Sequence, residues 1–304
     1  MMKVLEITTV IGCAVGCKYC PQSTLVKNYN DKVKKLSIND FILFLDKLDK
    51  SINIHFTGYS EAFLNDNCMD MIEYAYNKGH KVKVNTTLVG MKISDAQRLV
   101  KIPLVGLMLH LPAEENLENI NVNNEYLECL QIILKNPPCK INTVYHGKTL
   151  KKEVRPYFNE VYRGKIHYRA GNANVENLAE RSEIESDHRY VSKLKGKISC
   201  NRIYQNVLLP NGDITICCMD YGLKHIIGNL KTDSVEDLYK SNEFLKVLNG
   251  MNNENSDSLC RSCFVAAKNV DLKAKFYNKF IPKIKAFIHN DLTIKRRIKE
   301  KVSK

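Results

Sequence analysis

The chain has 304 residues, 44% of them hydrophobic, and a formal net charge of +13. This length allows one large domain or two smaller ones, and the composition excludes a chain that is disordered throughout. No apolar run approaches the roughly 18 residues that a membrane span needs. Lys3 and Glu6 interrupt any signal-peptide core. The sequence therefore predicts an intracellular, cytoplasmic protein.

The predicted elements begin with an alternation of short apolar runs and longer amphipathic ones over the first 170 residues. Six strands are predicted, at residues 4–9, 52–57, 81–88, 104–110, 140–145 and 165–169. Helices are predicted between them, at residues 37–50, 66–77, 94–101, 124–135 and 151–162. Repeated strand–helix units imply a parallel sheet, either doubly wound or curved into a barrel. Residues 171–198 are predicted to be a polar connector.

A second, smaller unit is predicted from residue 200 to residue 268. Apolar runs on both sides of residues 210–213 predict a hairpin. Ser234 is predicted to start a helix that reaches Asn249, with Asp237 completing a capping box. The predicted boundaries are therefore an α/β domain over 1–190, a cysteine-rich domain over 191–268 and a tail over 269–304.

The tail holds most of the positive charge. Residues 271–304 contain eleven basic and three acidic residues, so the rest of the chain carries a net charge of only +5. That modest charge argues against nucleic acid as a partner. Phe276, Phe280 and Phe287 recur near helical spacing and predict an amphipathic helix. Docking on the rest of the protein is favoured over peripheral contact with an anionic membrane, because Pro282 interrupts the apolar stripe.

Eleven cysteines are many for a chain in a reducing compartment, where clustered cysteines indicate metal binding or catalysis. Cys13, Cys17 and Cys20 follow the first predicted strand with CxxxCxxC spacing. Three thiolates hold three irons of a [4Fe-4S] cluster and leave the fourth iron open to another ligand. A structural zinc site is disfavoured, because zinc loops generally use two pairs of cysteines.

This motif resembles the CxxxCxΦC signature of the radical S-adenosylmethionine (SAM) superfamily, with Tyr19 as the aromatic residue Φ. The resemblance implies a partial (β/α)6 barrel, which agrees with the six units counted above. It also implies a [4Fe-4S] cluster that binds SAM and cleaves it to a 5′-deoxyadenosyl radical, which removes hydrogen from a substrate. An electron donor such as flavodoxin or ferredoxin would reduce that cluster.

Two later stretches resemble the SAM-binding regions of the same family. Residues 56–65, FTGYSEAFLN, are similar to the region that holds the methionyl amine, although Ser60 and Ala62 replace the family's glycine and proline. The end of the third predicted strand lies where the family binds the ribose hydroxyls. The resemblance therefore implies these cofactor-binding candidates: Tyr19, Gly58, Tyr59, Ser60, Glu61, Asn85 and Thr87.

The second group of cysteines resembles the SPASM and twitch domains appended to radical SAM enzymes. A Cys-xn-Gly-x4-Cys pattern is followed by a CxxC pair, which implies one auxiliary [4Fe-4S] cluster. Spacing alone leaves a zinc ribbon as the alternative. Because Gly212 precedes Cys217 at the family spacing, Cys218 is the spare cysteine. The implied ligands are Cys200, Cys217, Cys260 and Cys263.

Three residues at predicted strand ends complete the candidates. Arg169 ends the sixth predicted strand and is a tentative catalytic residue that would bind a substrate oxygen or assist proton removal; a surface ion pair is the alternative. His110 and His146 are expected to be solvent or core histidines.

An auxiliary cluster with four cysteine ligands has no open iron, so its predicted role is electron transfer. The favoured reaction is oxidation of an alcohol in a small polar substrate, sugar or aminocyclitol-like, as in an aminocyclitol dehydrogenase of the twitch type. No leader-binding domain precedes Cys13, which favours a small molecule over a peptide. Radical modification of a peptide, including sulfatase maturation, and epimerisation are the alternatives. An iron–sulfur or zinc protein that binds nucleic acid is the alternative outside enzymes.

Overall fold

The computed structural model describes residues 1–164, 166–167, 186–187, 193–263 and 265–268. Arg169 and the predicted tail, residues 269–304, lie outside these residues. Within the described ranges, no helix combines the length and the apolar character that crossing a bilayer requires.

Six parallel strands, adjacent in chain order, form most of one sheet. Their inward side chains are apolar: in the fourth strand Leu107, Leu109 and Leu111 are at most 1% exposed and alternate with half-buried residues. The strands are β1 Val4–Ile7, β2 Asn53–Phe56, β3 Val82–Thr86, β4 Gly106–Leu111, β5 Ile141–Tyr145 and β6 Tyr162–Arg163.

Helices fill the connections that parallel pairing requires. They are α1 Gln22–Asn28, α2 Ile38–Leu45, α3 Cys68–Asn77, α4 Ile93–Leu99 and α5 Asn124–Lys135. The Ser37 side chain accepts a hydrogen bond from the backbone N–H of Asp40, so the predicted cap of α2 is confirmed. The helix itself is shorter than the predicted 37–50.

The sixth unit differs from its prediction. The helix predicted over 151–162 is wrong: only a 3-10 helix, Arg155–Tyr157, forms there, because Pro156 supplies no N–H to an α-helical ladder. The sixth parallel strand is β6, which pairs with β5 and comes before the predicted 165–169. Within that predicted range, β7 Ile166–His167 pairs instead with β8 Ser186–Asp187, in a separate two-stranded sheet.

The second unit joins the same sheet. β10 Gln205–Leu208 pairs in parallel with β1, and β11 Asp213–Thr215 and β12 Ile226–Asn229 continue outward in antiparallel pairing. The predicted hairpin is therefore confirmed. The pairing of β10 with β1 was not predicted, and it produces a nine-stranded sheet, β12-β11-β10-β1-β2-β3-β4-β5-β6. A separate antiparallel pair joins β9 Ile198–Ser199 to β13 Ala267–Lys268.

Two helices stand where one was predicted over 234–249. They are α6 Val235–Lys240 and α7 Asn242–Asn252. Ser241 ends the first and caps the second: its hydroxyl donates to the Leu238 carbonyl at 2.9 Å and accepts from the Phe244 N–H at 3.2 Å. The capping box of Ser234 and Asp237 is confirmed.

Candidate functional site

A cavity opens at the carboxyl ends of the strands β1 to β5, the edge where β/α folds build their sites. The loop after β1 supplies the first cysteine group, and the loop after β2 supplies residues 57–61. The end of β3 supplies Asn85, and His110 and His146 come from the ends of β4 and β5. The full lining is Cys13, Val15, Cys17, Tyr19, Cys20, Gln22, Thr57, Gly58, Tyr59, Ser60, Glu61, Asn85, Thr86, Thr87, His110, His146 and Tyr221.

The cysteine loop is fixed against residues 117–119. Its Lys18 N–H donates to the Leu117 carbonyl at 2.8 Å, and its Val15 carbonyl accepts from the Asn119 N–H at 2.7 Å. Gly16 adopts φ +55° where a Cβ would lie 2.8 Å from the Asn119 side chain, so a larger residue would displace the loop. Backbone contacts therefore hold the three thiols at the cavity.

Hydrogen bonds from neighbouring groups reach the sulfurs of Cys13 and Cys20. The Glu61 N–H donates to Cys13 Sγ at 3.4 Å, and Gln22 Nε2 donates to Cys20 Sγ at 3.8 Å. Burial raises the pKa of the Cys13 and Cys17 thiols, because a thiolate is poorly solvated there. Thiols of this kind ionise when a cationic metal group binds them, and that group offsets the cost of burying their charge.

The Glu61 carboxylate joins the ends of β2 and β3. It is 6% exposed, and burial raises its pKa. Oε1 accepts from Thr86 Oγ1 at 2.8 Å and from the Phe63 N–H at 3.3 Å. Oε2 accepts from the Thr87 N–H at 2.6 Å and from Thr87 Oγ1 at 2.7 Å. Four donors occupy the carboxylate, so Glu61 and Thr87 position the loops, and other atoms of the 58–61 loop are better placed to receive a ligand.

Gly58 and Tyr59 also have structural roles at the ends of the strands. A Cβ on Gly58, which adopts φ +45°, would lie 2.4 Å from Thr8 Oγ1, so only glycine lets the ends of β1 and β2 come this close. Tyr59 is 2% exposed and turns its ring toward the second unit, while its carbonyl accepts a hydrogen bond from Gln22 Nε2.

Two buried polar atoms beside the cavity have no hydrogen-bond partner among the residues that the structure describes: Ser60 Oγ and Asn85 Oδ1. The Asn85 amide is oriented by its Nδ2, which donates to Thr57 Oγ1 at 3.3 Å. Buried polar atoms are almost always hydrogen-bonded in folded proteins, so these two indicate a polar ligand. Three thiols beside such acceptor and hydroxyl groups fit an iron–sulfur cluster with a polar organic ligand on it.

An aromatic wall closes another side of the cavity, and sequence reasoning missed most of it. The Tyr19 ring stands edge-on to His146 with centroids 5.0 Å apart, and His110 lies 5.9 Å from His146. Both histidines therefore line the cavity, a position that the expectation of plain solvent or core histidines did not include. Their position at the ends of parallel strands was the available signal.

Glu118 holds the Tyr19 side chain in place through a hydrogen bond. Tyr19 OH donates to Glu118 Oε1 at 2.7 Å, and burial raises the pKa of Glu118 to about 7. No sequence pattern pointed to Glu118 or to Gln22, because their roles follow from the way that separate loops pack together.

The second cysteine group lines a smaller and more apolar pocket. Four thiols meet there: Cys200, Cys217, Cys260 and Cys263. Cys218 does not line this pocket; its sulfur accepts a hydrogen bond from Arg202 Nη1 at 3.3 Å. Burial raises the pKa of the Cys200, Cys217 and Cys260 thiols, that of Cys260 to about 11. No three His, Cys, Asp or Glu side chains of the described residues form a group that could hold a single metal ion.

Comparison with solved structures finds the same fold at low sequence identity. BtrN in complex with AdoMet and 2-DOIA matches with a TM-score of 0.57 and 14% identity, over 87% of this chain and 93% of that one. Streptococcus suis SuiB bound to precursor peptide SuiA matches with a TM-score of 0.58 and 14% identity, over 87% of this chain and 70% of that one. Native anSMEcpe with bound AdoMet and Cp18Cys peptide matches with a TM-score of 0.55 and 12% identity, over 94% of this chain and 99% of that one.

Comparison with family profiles identifies residues 200–264 as SPASM, an iron–sulfur cluster-binding domain. Comparison with curated protein sequences finds no match. Together the matches confirm the predicted fold class, a partial β/α barrel followed by a small cysteine-rich domain.

Proposed function

Because the chain has the fold of the radical SAM enzymes and carries a SPASM-type iron–sulfur cluster-binding domain at residues 200–264, we propose that it is a radical SAM oxidoreductase. The observation that carries this proposal is the cavity in which the CxxxCxxC thiols face the unpartnered Ser60 Oγ and Asn85 Oδ1. Its substrate is a small polar molecule of the sugar or aminocyclitol class, in which an alcohol is oxidised.

Cys13, Cys17 and Cys20 are the ligands of the SAM-binding [4Fe-4S] cluster in this proposal. When bound, the two clusters and SAM supply the radical chemistry: an electron for SAM cleavage, a 5′-deoxyadenosyl radical that takes hydrogen from the substrate, and an electron acceptor in the second domain. The chain's own groups orient SAM. Ser60 Oγ and the backbone carbonyls beside it suit the methionyl ammonium, and Asn85 Oδ1 suits a ribose hydroxyl.

The auxiliary [4Fe-4S] cluster is assigned to the four thiols that share the second pocket: Cys200, Cys217, Cys260 and Cys263. Four thiolates complete a cubane and leave no open iron, which suits a site for electron transfer rather than for substrate. The pocket supports Cys217 over Cys218, because Cys217 is among its lining residues and Cys218 is not. A flavodoxin or ferredoxin is the proposed source of the electron for SAM cleavage.

The polar and ionisable lining of the cavity supports a small polar substrate. His110 and His146 stand beside the cysteine loop, where an imidazole can accept a hydroxyl proton or bind a substrate oxygen. Arg169 is also proposed for the same task. Radical modification of a peptide is the second candidate, favoured by the two matches whose structures contain peptides.

The first experiment measures 5′-deoxyadenosine. The full chain, reconstituted with iron and sulfide without oxygen, should release it from SAM with dithionite as reductant. Cys17→Ala should reduce this release to background, while Cys139→Ala, which removes a cysteine outside both groups, should leave it unchanged. A fully loaded protein that forms no 5′-deoxyadenosine would refute the proposal. Screening polyols, aminocyclitols and peptides for faster release then separates the two substrate classes.

A further inference from the structure

One side chain of the SPASM-type domain reaches the first cysteine group in the barrel. Tyr221, 4% exposed, places its hydroxyl 3.8 Å from Cys20 Sγ. The two residues are 201 positions apart in the sequence, so the contact depends on the pairing of β10 with β1. The second domain thus contacts a proposed ligand of the first cluster directly.

Tyr59 fixes Tyr221 in this position. The two rings meet edge to face with centroids 4.7 Å apart. The Tyr59 hydroxyl lies 3.0 Å from Thr215 Oγ1, 2.9 Å from the Cys217 carbonyl and 3.1 Å from the Asp220 carbonyl. A hydrogen bond at each end and the ring contact between the two tyrosines therefore connect the two cysteine groups.

The direction of the hydrogen bond at Cys20 follows from the state of its sulfur. A free thiol donates its proton to the Tyr221 oxygen. A thiolate bound to iron has no proton and only accepts, so the Tyr221 O–H then becomes the donor. Gln22 Nε2 is a second donor to the same sulfur, also at 3.8 Å.

We propose that Tyr221 is a positioning residue of the SPASM-type domain that donates a hydrogen bond to the Cys20 sulfur and so raises the reduction potential of the SAM-binding cluster. This inference rests on the proposed function. Hydrogen bonds to the sulfurs are among the features that set the potential of an iron–sulfur cluster. The reduced cluster carries one more negative charge, which a donor at the sulfur stabilises more than it stabilises the oxidised cluster.

The test is a potentiometric titration of the full, doubly loaded chain, followed by electron paramagnetic resonance. The signal of the first cluster is identified by its change when SAM is added. Tyr221→Phe keeps the ring and removes only the hydroxyl, and it should shift the midpoint potential of that cluster to more negative values. Tyr239→Phe is the matched control: it removes another hydroxyl from the same domain, one that bonds Asn206 Oδ1, and should leave the potential unchanged.

A second measurement detects the hydrogen-bonded proton itself. Proton electron–nuclear double resonance of the reduced first cluster should detect an exchangeable proton that disappears in deuterium oxide. In Tyr221→Phe that coupling should be lost, while the couplings from Gln22 and the Glu61 N–H stay.

An unchanged potential of the first cluster in Tyr221→Phe would overturn the inference. So would a shift confined to the second cluster, or an equal shift in Tyr239→Phe. If the loaded wild-type chain has no cluster whose spectrum responds to SAM, it is the proposed function that fails, and the two failures are thereby distinguished.

Discussion

The two cysteine groups lie in contrasting surroundings. Cys13, Cys17 and Cys20 are half-buried and border a cavity that also exposes polar and ionisable groups. In the second group three of the four pocket thiols are buried, and the neighbouring side chains are mostly apolar: Ile203, Met219, Leu259, Val265 and Ala266. A three-cysteine site beside unpartnered polar atoms suits a cluster that binds a ligand, whereas a four-cysteine site in an apolar pocket suits one that only exchanges electrons.

The two cysteine groups are separate sites that a pair of tyrosines connects. Each group is built from its own loops, but the tyrosine pair Tyr59 and Tyr221 links them through buried contacts. Variants can therefore remove one site while the other is followed.

The largest expected effect comes from removing the second site. A Cys260→Ala, Cys263→Ala double variant should fall from about eight irons per chain to about four, because each cubane contains four. It should still cleave SAM but lose the oxidised product, since the proposed electron acceptor is absent. Iron analysis and product detection by mass spectrometry measure both outcomes.

Folding is the control for this variant, because metal sites often stabilise small cysteine-rich domains. Its circular dichroism spectrum should match that of the wild type. Undiminished product from a folded variant would contradict the electron-transfer role, and one zinc with four irons in the native protein would contradict the auxiliary cluster itself.

Variants of the adjacent residues Cys217 and Cys218 test which of the two binds the auxiliary cluster. Cys217→Ala should lose about four irons, because its thiol lines the pocket. Cys218→Ala should keep about eight, since Cys218 is not among the residues that line the pocket. The two variants differ by one position and share the same chemistry, so loss of iron from Cys218→Ala alone would reverse the assignment.

Much of this arrangement could be predicted from local sequence. The apolar periodicity indicated five of the six parallel strands at nearly their observed positions. The family resemblance named Ser60 and Asn85 as site residues, and both line the cavity beside the cysteine loop. Local rules also found the caps at Ser37 and Ser234. They failed at residues 151–162, where helical spacing of apolar residues outweighed Pro156 in the prediction.

Contacts between distant segments could not be predicted. Periodicity says which face of β10 is buried but not that β10 pairs with β1, and without that pairing Tyr221 has no reason to meet Cys20. Glu61 shows the same limit: the family resemblance indicated a residue that binds the cofactor, but nothing in the sequence indicated the hydrogen bonds that its carboxylate accepts from Thr86 and Thr87 at the end of β3.

The next prediction asks whether the two regions unfold together. Burial lowers the pKa of His55, on β2, to about 4. The His55 side chain binds a proton below about pH 6.5 in the unfolded chain, but only below about pH 4 in the native state. The free energy of unfolding therefore falls as the pH drops from about 6.5 to about 4. His55→Gln should therefore raise the free energy of unfolding at pH 5 by at most about 2 kcal/mol, with little change at pH 7.5.

Urea denaturation without added iron measures this gain, and hydrogen exchange shows where it appears. Because β10 pairs with β1 and β1 with β2, peptides from β2 and from β10 should gain protection together at pH 5. Protection confined to β2 would show that the two cysteine groups belong to separate folding units.

The smallest expected effect concerns the binding of SAM at the first site. Asn85→Ala removes a buried acceptor whose orientation is set by Thr57, and the loss of one hydrogen bond to SAM, roughly 1 kcal/mol, should raise its Kd about fivefold. Asn142→Ala, which removes an exposed amide from β5, is the control and should leave the Kd unchanged. Calorimetry on the oxidised, loaded enzyme measures both. An unchanged Kd in Asn85→Ala would mean that Oδ1 faces the substrate rather than SAM, and the substrate KM of the same variant would then carry the effect.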